Sequence, residues 1–494
     1  MQLKQSAPKK CYRIGMSLGA LAAAACLWPA IAAAQPPDPT ASDGNGNTAA
    51  GSNALFNVTG SNNTGIGYQA LTFTTSGNSN TASGSQALIN NTTGSYNTAS
   101  GHQTLYTNTI GTNNTASGYQ ALYTNSTGTE NTASGYQALL SNTSGQGNTA
   151  TGMQALASNT TGNFNTANGI VALGFNSTGD NNTANGYLAL YSNDTGSNNT
   201  ASGVEALNSN TTGGDNTATG AAALLSNTTG DSNTAAGANA LQSNTTGTDN
   251  VASGAWALAS NKNGKRNTAN GRDALLRDTN GSNNVAVGYG ALTALTGYSN
   301  NNIALGTNAG SATTSGSNNI YIGNLGASTE SSVTRIGRGQ TKVFVAGIAG
   351  VPLSGATVVV KSNGQLGVVA SSARYKQDIM PLVGASEKLA QLRPVSYRYK
   401  AEPAATHYGL IAEEVDQVMP ELVVHDEEGR PESIQYLELI PILLQEQREL
   451  RAERRELKAE LAHQRELIEH QAATLAALTQ ELGARFANSA VQIQ

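Results

Sequence analysis

The sequence predicts a mainly β protein. A repetitive β-solenoid or β-roll rod of 17-residue coils comes first, then an α+β domain and a C-terminal coiled-coil helix. Three observations predict this. A pattern close to N-T-A-x-G-x-x-A-L-x-x-N-T-T-G-x-x places its first Asn at Asn63, Asn80, Asn97 and every seventeenth residue up to Asn284. Charged residues make up 12% and aromatic residues 5% of the 494, with 55 Gly, whereas an ordinary soluble domain is about 25% charged. The repeat ends near residue 325, and strand-like and then heptad-like sequence follows.

The repeat dictates its own architecture. Flanking copies begin at Asn47, Asn302 and Asn319, which makes seventeen. One copy holds little more apolar material than Ala82, Ala87 and Leu88. Burying one Leu is worth about 1.5–3 kcal/mol, while ordering seventeen residues costs about 17–34 kcal/mol. A lone copy cannot fold, so copies must stack and pair their backbones with their neighbours. Asn at fixed places predicts side-chain ladders along the axis. Gly at the fifth place (Gly84, Gly101, Gly135) and near the end (Gly94, Gly128, Gly145) predicts turns with φ > 0. Seventeen coils at the β spacing span on the order of 80 Å. The strict period argues against low-complexity disorder, which needs no register. So thin a core points to lateral association of three rods, which would also shield exposed strands.

The ends of the chain set its expected location. Lys4, Lys9, Lys10 and Arg13 precede an apolar run from about Ile14 to Ile31, and Ala32-Ala33-Ala34 stands before Gln35. This reads as a secretory signal over residues 1–34, with a linker over 35–46 and the repeats over 47–325. Both cysteines, Cys11 and Cys26, fall inside that signal. The mature chain is then without thiol chemistry or Cys-bound zinc. No later run is long enough to span a bilayer, so the expectation is a secreted or bacterial cell-surface protein. The net charge is −5, and no Lys or Arg occurs between Gln35 and Asn261. Nucleic acid is therefore not an expected partner. No cofactor or metal motif is found.

After a β connector over 326–370 the chemistry changes. Val343–Ile348 alternates like a strand. Thr357–Val360 and Leu366–Val369, joined through Asn363-Gly364, read as a hairpin. A short helix is expected around Glu387–Leu392, a strand at Val395–Tyr399, and a helix over Ile411–Met419 that stops at Pro420. From about Pro441 to Arg485, Leu450, Leu457, Leu461, Ile468, Leu475, Leu478 and Leu482 form a heptad seam. Gln447, Arg454, Gln464 and Gln471 interrupt it, so the helix reads as a weak trimerising clamp, with a tail over 486–494.

Two resemblances sharpen this reading. Asn284-Val285-Ala286-Val287-Gly288 and Asn302-Ile303-Ala304-Leu305-Gly306 resemble the head repeats of trimeric autotransporter adhesins, which are trimeric β-rolls. The second runs from about Ala370 to Glu449 and places a chaperone domain at 371–440. It is carried by Ser371-x-x-Arg374-x-Lys376-x-Asp378-Ile379, Leu392-x-Pro394-Val395-x-Tyr397 and His407–Val415, with Pro420–Val423 and Ile434-x-Tyr436. These blocks resemble the self-cleaving intramolecular chaperone of phage endosialidase tail spikes and tail fibres, a serine-peptidase family. Ser372 stands where those spikes usually carry Asp. The resemblance implies a chaperone that drives trimer assembly and then cuts itself off between Ala370 and Ser371. Ser371 would be the nucleophile and Lys376 the general base, in a single turnover. Arg374 would supply nearby positive charge, and His407 is a supporting candidate better explained as structural. An ordinary lysine titrates near 10.4, so a lysine base needs burial or neighbouring cations.

The function expected is a secreted homotrimeric fibre or adhesin-like surface protein with a self-releasing chaperone, its rod facing a host surface or glycan. One alternative keeps the module uncleaved as a trimerisation domain. A glycan-degrading spike would need paired carboxylates, yet Glu130, Asp180, Asp194 and Glu205 fall at different repeat places. An ice-binding rod would want Thr two apart on one strand, whereas adjacent pairs such as Thr92-Thr93 are expected to face opposite ways.

Overall fold

The computed structural model describes residues 41–346, 357–361, 363–382, 384–426 and 428–491. The expected signal and its cleavage site lie outside these residues, as do Gly347 and Ile348 of the expected connector strand. Val343–Val345 are not in a strand. The chain divides into two compact units between Val343 and Phe344.

The first unit is the solenoid. A short strand β1 (Ala41–Ser42) pairs antiparallel with β2 (Thr48–Ala50). From β2 the chain lays down one three-residue strand per repeat, through β8 (Thr149–Thr151), β16 (Val285–Val287) and β17 (Ile303–Leu305) to β18 (Ile320–Ile322). All pair parallel with the strand before, and β19 (Thr334–Ile336) adds a last rung. The register is unbroken, as in Thr132↔Thr149 and Ala133↔Ala150.

One coil shows why the sequence takes this path. In β8 the central Ala150 is buried while Thr149 and Thr151 face outward. Gly152 follows at φ 130 and turns the chain. Ala155 and Leu156 then enter the core, fully buried. Backbone groups pair with both neighbouring coils: Gly152 N–H donates to Ser134 O at 2.8 Å and Leu156 N–H to Ala172 O at 3.0 Å. The core of most coils is therefore Ala-Ala-Leu, closed at two corners by buried Asn.

Those Asn form two ladders along most of the rod. Asn148 Nδ2 donates to Asn131 Oδ1 at 3.1 Å and to Gly162 O at 2.8 Å. Asn159 Nδ2 donates to Asn142 Oδ1 at 2.8 Å and again to Gly162 O at 2.9 Å. Each side chain thus closes its own coil and grips the preceding one, so these buried amides are satisfied without water. A third, half-buried ladder runs from Gln69 to Gln154 on one edge.

Two expectations about the repeat are corrected. The fifth-place Gly do take φ > 0 (Gly84 143, Gly135 139), but Gly94, Gly128 and Gly145 do not. These must be Gly because a Cβ on Gly94 would collide with the carbonyl of Gly111 and with Asn91 and Asn108. The left-handed residues are instead the Gln and Leu of the corner, Gln154 at φ 55 and Leu156 at 52, with Phe164 at 55 closing the coil. The hydroxyl geometry also differs from expectation. Thr92 and Thr93 lie outside any strand. Within the strands, Thr and the Ser or Thr two residues on both face out, as in Thr81 and Ser83 or Thr217 and Thr219.

The second unit holds the hairpin of β20 (Val358–Val360) and β21 (Leu366–Val368), with Gly364 at φ 82 in its turn. Next come α1 (Ala385–Leu389), β22 (Val395–Tyr399) paired antiparallel with β23 (Glu402–Gly409), and α2 (Ala412–Val418). A 3-10 turn at Pro420–Leu422 leads to β24 (Val423–His425) and β25 (Pro431–Ile434), again antiparallel. α3 (Tyr436–Val491) ends the chain and carries Pro441 inside its second turn, so it begins before the expected Pro441 start.

Candidate functional site

The C-terminal module has a small core of its own. Val415 and Met419 of α2 and its end pack with Leu422, Val423, Ile434, Leu439 and Ile442, and Leu389, Leu392 and Leu410 lean against them. Polar pairs tie its surface: Arg393 Nε to Glu414 at 3.1 Å, and His425 Nε2 to Asp416 at 3.1 Å. The Arg393 guanidinium holds the Glu414 carboxyl below the usual carboxylate range.

The structure brings together blocks that are far apart in sequence. The Tyr436 hydroxyl accepts the Leu410 N–H at 3.0 Å. A Cβ on Gly409 would sit 2.8 Å from that hydroxyl and 3.2 Å from the Tyr397 ring. The glycine of His407-Tyr408-Gly409-Leu410 is therefore fixed by Tyr397 on one side and Tyr436 on the other. His407 stands beside these rings, 5.8 Å from Tyr397 and 5.0 Å from Tyr399 between centroids. Its Nε2 is buried and has no hydrogen-bond partner among the described residues. His407 thus packs in a tyrosine cluster, and no described contact joins it to Ser371 or Lys376.

Ser371 to Lys376 form an exposed turn. Residues Ala373–Tyr375 make one turn of 3-10 helix, and Ser372 caps it, its Oγ accepting the Arg374 N–H at 3.4 Å. Arg374 Nε also donates to Ser372 Oγ, at 3.2 Å, and its guanidinium lies 5.6 Å from the Tyr375 ring centroid. Ser and Asp are comparable cap residues, so Ser372 performs here the capping that Asp would. Ala370, Ser371 and Lys376 are all exposed, and Asp378 turns the chain at φ 53. Among the described residues no hydrogen bond joins Ser371 to Lys376.

The tyrosine cluster and the Asp416–His425 pair were not singled out as site features from sequence. Asp416 and His425 lie nine residues apart across a helix end, a spacing with no periodic signal. The Gly409–Tyr436 contact was carried only by the order of the quoted blocks.

Residues 371–424 match the family model described as Chaperone of endosialidase, so the match begins at Ser371 itself. No curated protein and no solved structure matches the chain significantly. A β-solenoid followed by a segment similar to that family fits a fibre-like protein with an intramolecular chaperone. Among the described residues no helix is long and apolar enough to cross a membrane.

Proposed function

We propose that this chain is the subunit of an exported homotrimeric fibre, whose C-terminal module assembles three copies and then severs itself before Ser371. The observation that carries this reading is a change in the outward strand faces. Over most of the rod they present Thr, Ser and Asn. In β16, β17 and β18 the same two ranks become Val285 and Val287, Ile303 and Leu305, Ile320 and Ile322. Ile303, Leu305 and Ile322 stay 37–40% exposed in one chain. Contiguous exposed apolar surface of this kind favours a partner surface, and two further copies of the same face supply it. On this reading the hydroxyl ranks continue the seam and are covered as well, rather than facing ice. The leucines of α3, such as Leu457 and Leu475, are also exposed along one chain and suit the same three-fold partner.

The cleavage chemistry follows from the residues. Ser371 Oγ attacks the carbonyl carbon of Ala370, and Lys376 Nζ accepts the hydroxyl proton. The Ala370–Ser371 C–N bond breaks as that proton passes to the departing amine, leaving an ester between Ala370 and Ser371 Oγ. Water hydrolyses the ester to an Ala370 carboxylate and a free Ser371 hydroxyl. Lys376 is exposed in the single chain, so the dehydration that makes a lysine basic at neutral pH awaits assembly. Cutting would then report completed folding and leave a fibre that cannot reverse its assembly. The Lys-rich start and the Ala32-Ala33-Ala34 site support export.

Intact mass spectrometry tests the cut. The chain lacking residues 1–34 is expected to give two fragments meeting at Ala370/Ser371, and Ser371→Ala a single full-length species. Full-length protein in both would overturn self-cleavage and leave a retained trimerisation domain.

A further inference from the structure

The second Asn ladder breaks at one place, and the break has a chemical meaning. Eleven Asn, from Asn91 to Asn261, occupy the twelfth position of successive coils, and from Asn108 on each Nδ2 donates to the Oδ1 before it at 2.7–2.8 Å. The next coil puts Asp278 there, fully buried. A carboxylate has no N–H, so Asn261 Oδ1 is left buried with no hydrogen-bond partner among the described residues. Asp278 itself accepts from Gly281 N–H at 2.9 Å and from Asn284 Nδ2 at 3.2 Å. On its far side the following coil offers the buried Leu295 at this place. A buried acceptor whose donor's place in the ladder is taken by a buried carboxyl is costly to leave unpaired unless a proton is present.

We infer that Asp278 is a proton-operated joint of the rod: as the neutral acid its O–H donates to Asn261 Oδ1 and completes the ladder, and on ionising it opens the stack at that coil. Burial pushes the Asp278 carboxyl up to about 6, against the lowering effect of its hydrogen bonds to Gly281, Asn280 and Asn284. The charged groups of the three coils involved are Lys262, Lys265, Arg266, Arg272, Asp273 and Arg277, with Tyr289 and Tyr298 also titratable. Asp273 is half-buried, paired with Arg272 at 3.4 Å, and the others are exposed. None is among the groups that set the Asp278 shift.

The sign follows from linkage. The folded value lies above the ordinary one, so this coil is most stable below pH 4 and loses stability as pH rises through about 6. Amide exchange of the full chain, corrected for the intrinsic rate, reads the local opening constant of residues 267–284. Between pH 5 and 7.5 that constant is expected to rise about tenfold in wild type. Asp278→Asn, which restores the residue of eleven other coils, is expected to abolish the rise. Asn176→Asp is expected to import it into the coil of residues 165–182. An Asp278→Asn chain that keeps the wild-type pH dependence, or an Asn176→Asp chain that gains none, would overturn the assignment.

Discussion

Every coil up to Leu292 places Leu in a conformation that L-residues avoid. Leu156 sits at φ 52 and is fully buried. The left-handed region costs about 1–2 kcal/mol per residue, and burying the side chain returns about 1.5–3 kcal/mol. The backbone bond to Ala172 then fixes the turn. Stability therefore rests on groups that satisfy several partners at once, and the ladder Asn are foremost. Asn159→Ala would orphan Asn142 Oδ1 and one N–H of the Asn176 amide, while Gly162 O keeps its bond from Asn148. At about 1–3 kcal/mol for each orphaned group, we expect a loss of roughly 2 kcal/mol or more, measured by chemical denaturation of the rod. The ladders were legible in the sequence because identical Asn recurred at two fixed places. The left-handed Leu and Gln were not, because no composition rule expects a buried Leu at positive φ. The second Gly was read as a turn residue because the usual reason for Gly is conformational, whereas here it makes room for a neighbouring carbonyl.

At the scale of the element, the three-residue strand does two jobs. Its central Ala points into the coil and its flanking residues define the rod face. Leu305→Asp in β17 puts a carboxylate on the apolar part of that face without touching the core Ala304. Burying three such charges in a trimer costs well over about 1.4 kcal/mol. Sedimentation is therefore expected to show dissociation at roughly tenfold or more lower dilution than wild type, with the coil fold retained by circular dichroism. The strands, the Asn363-Gly364 hairpin and β22 were legible from period, turn residues and β-branched content. The start of α3 was not, because Pro441 reads as a first-turn signal and the helix instead carries it one turn inside. The Ser371–Lys376 turn was legible only through the blocks around it. Ser and Lys five apart mean little by themselves, and in one chain they form an exposed turn.

At the scale of the molecule, a rod with an Ala-Ala-Leu core per coil is joined to a module with an independent core and a long helix. The rod repeats one local solution, and the feature that sets its C-terminal end apart is the pair of apolar ranks in β16, β17 and β18. In the proposed function the module is a second, sequence-distinct means of gathering copies, and its family match begins at the residue where the fibre is proposed to be released. The most direct test is native mass spectrometry of the chain lacking residues 1–34, beside the same chain ended at Ala370. The account predicts a trimer of the 35–370 fragment from the longer chain, and monomer or aggregate from the chain made without the module. Equal trimer from both chains would contradict the central claim, because assembly would then belong to the rod alone.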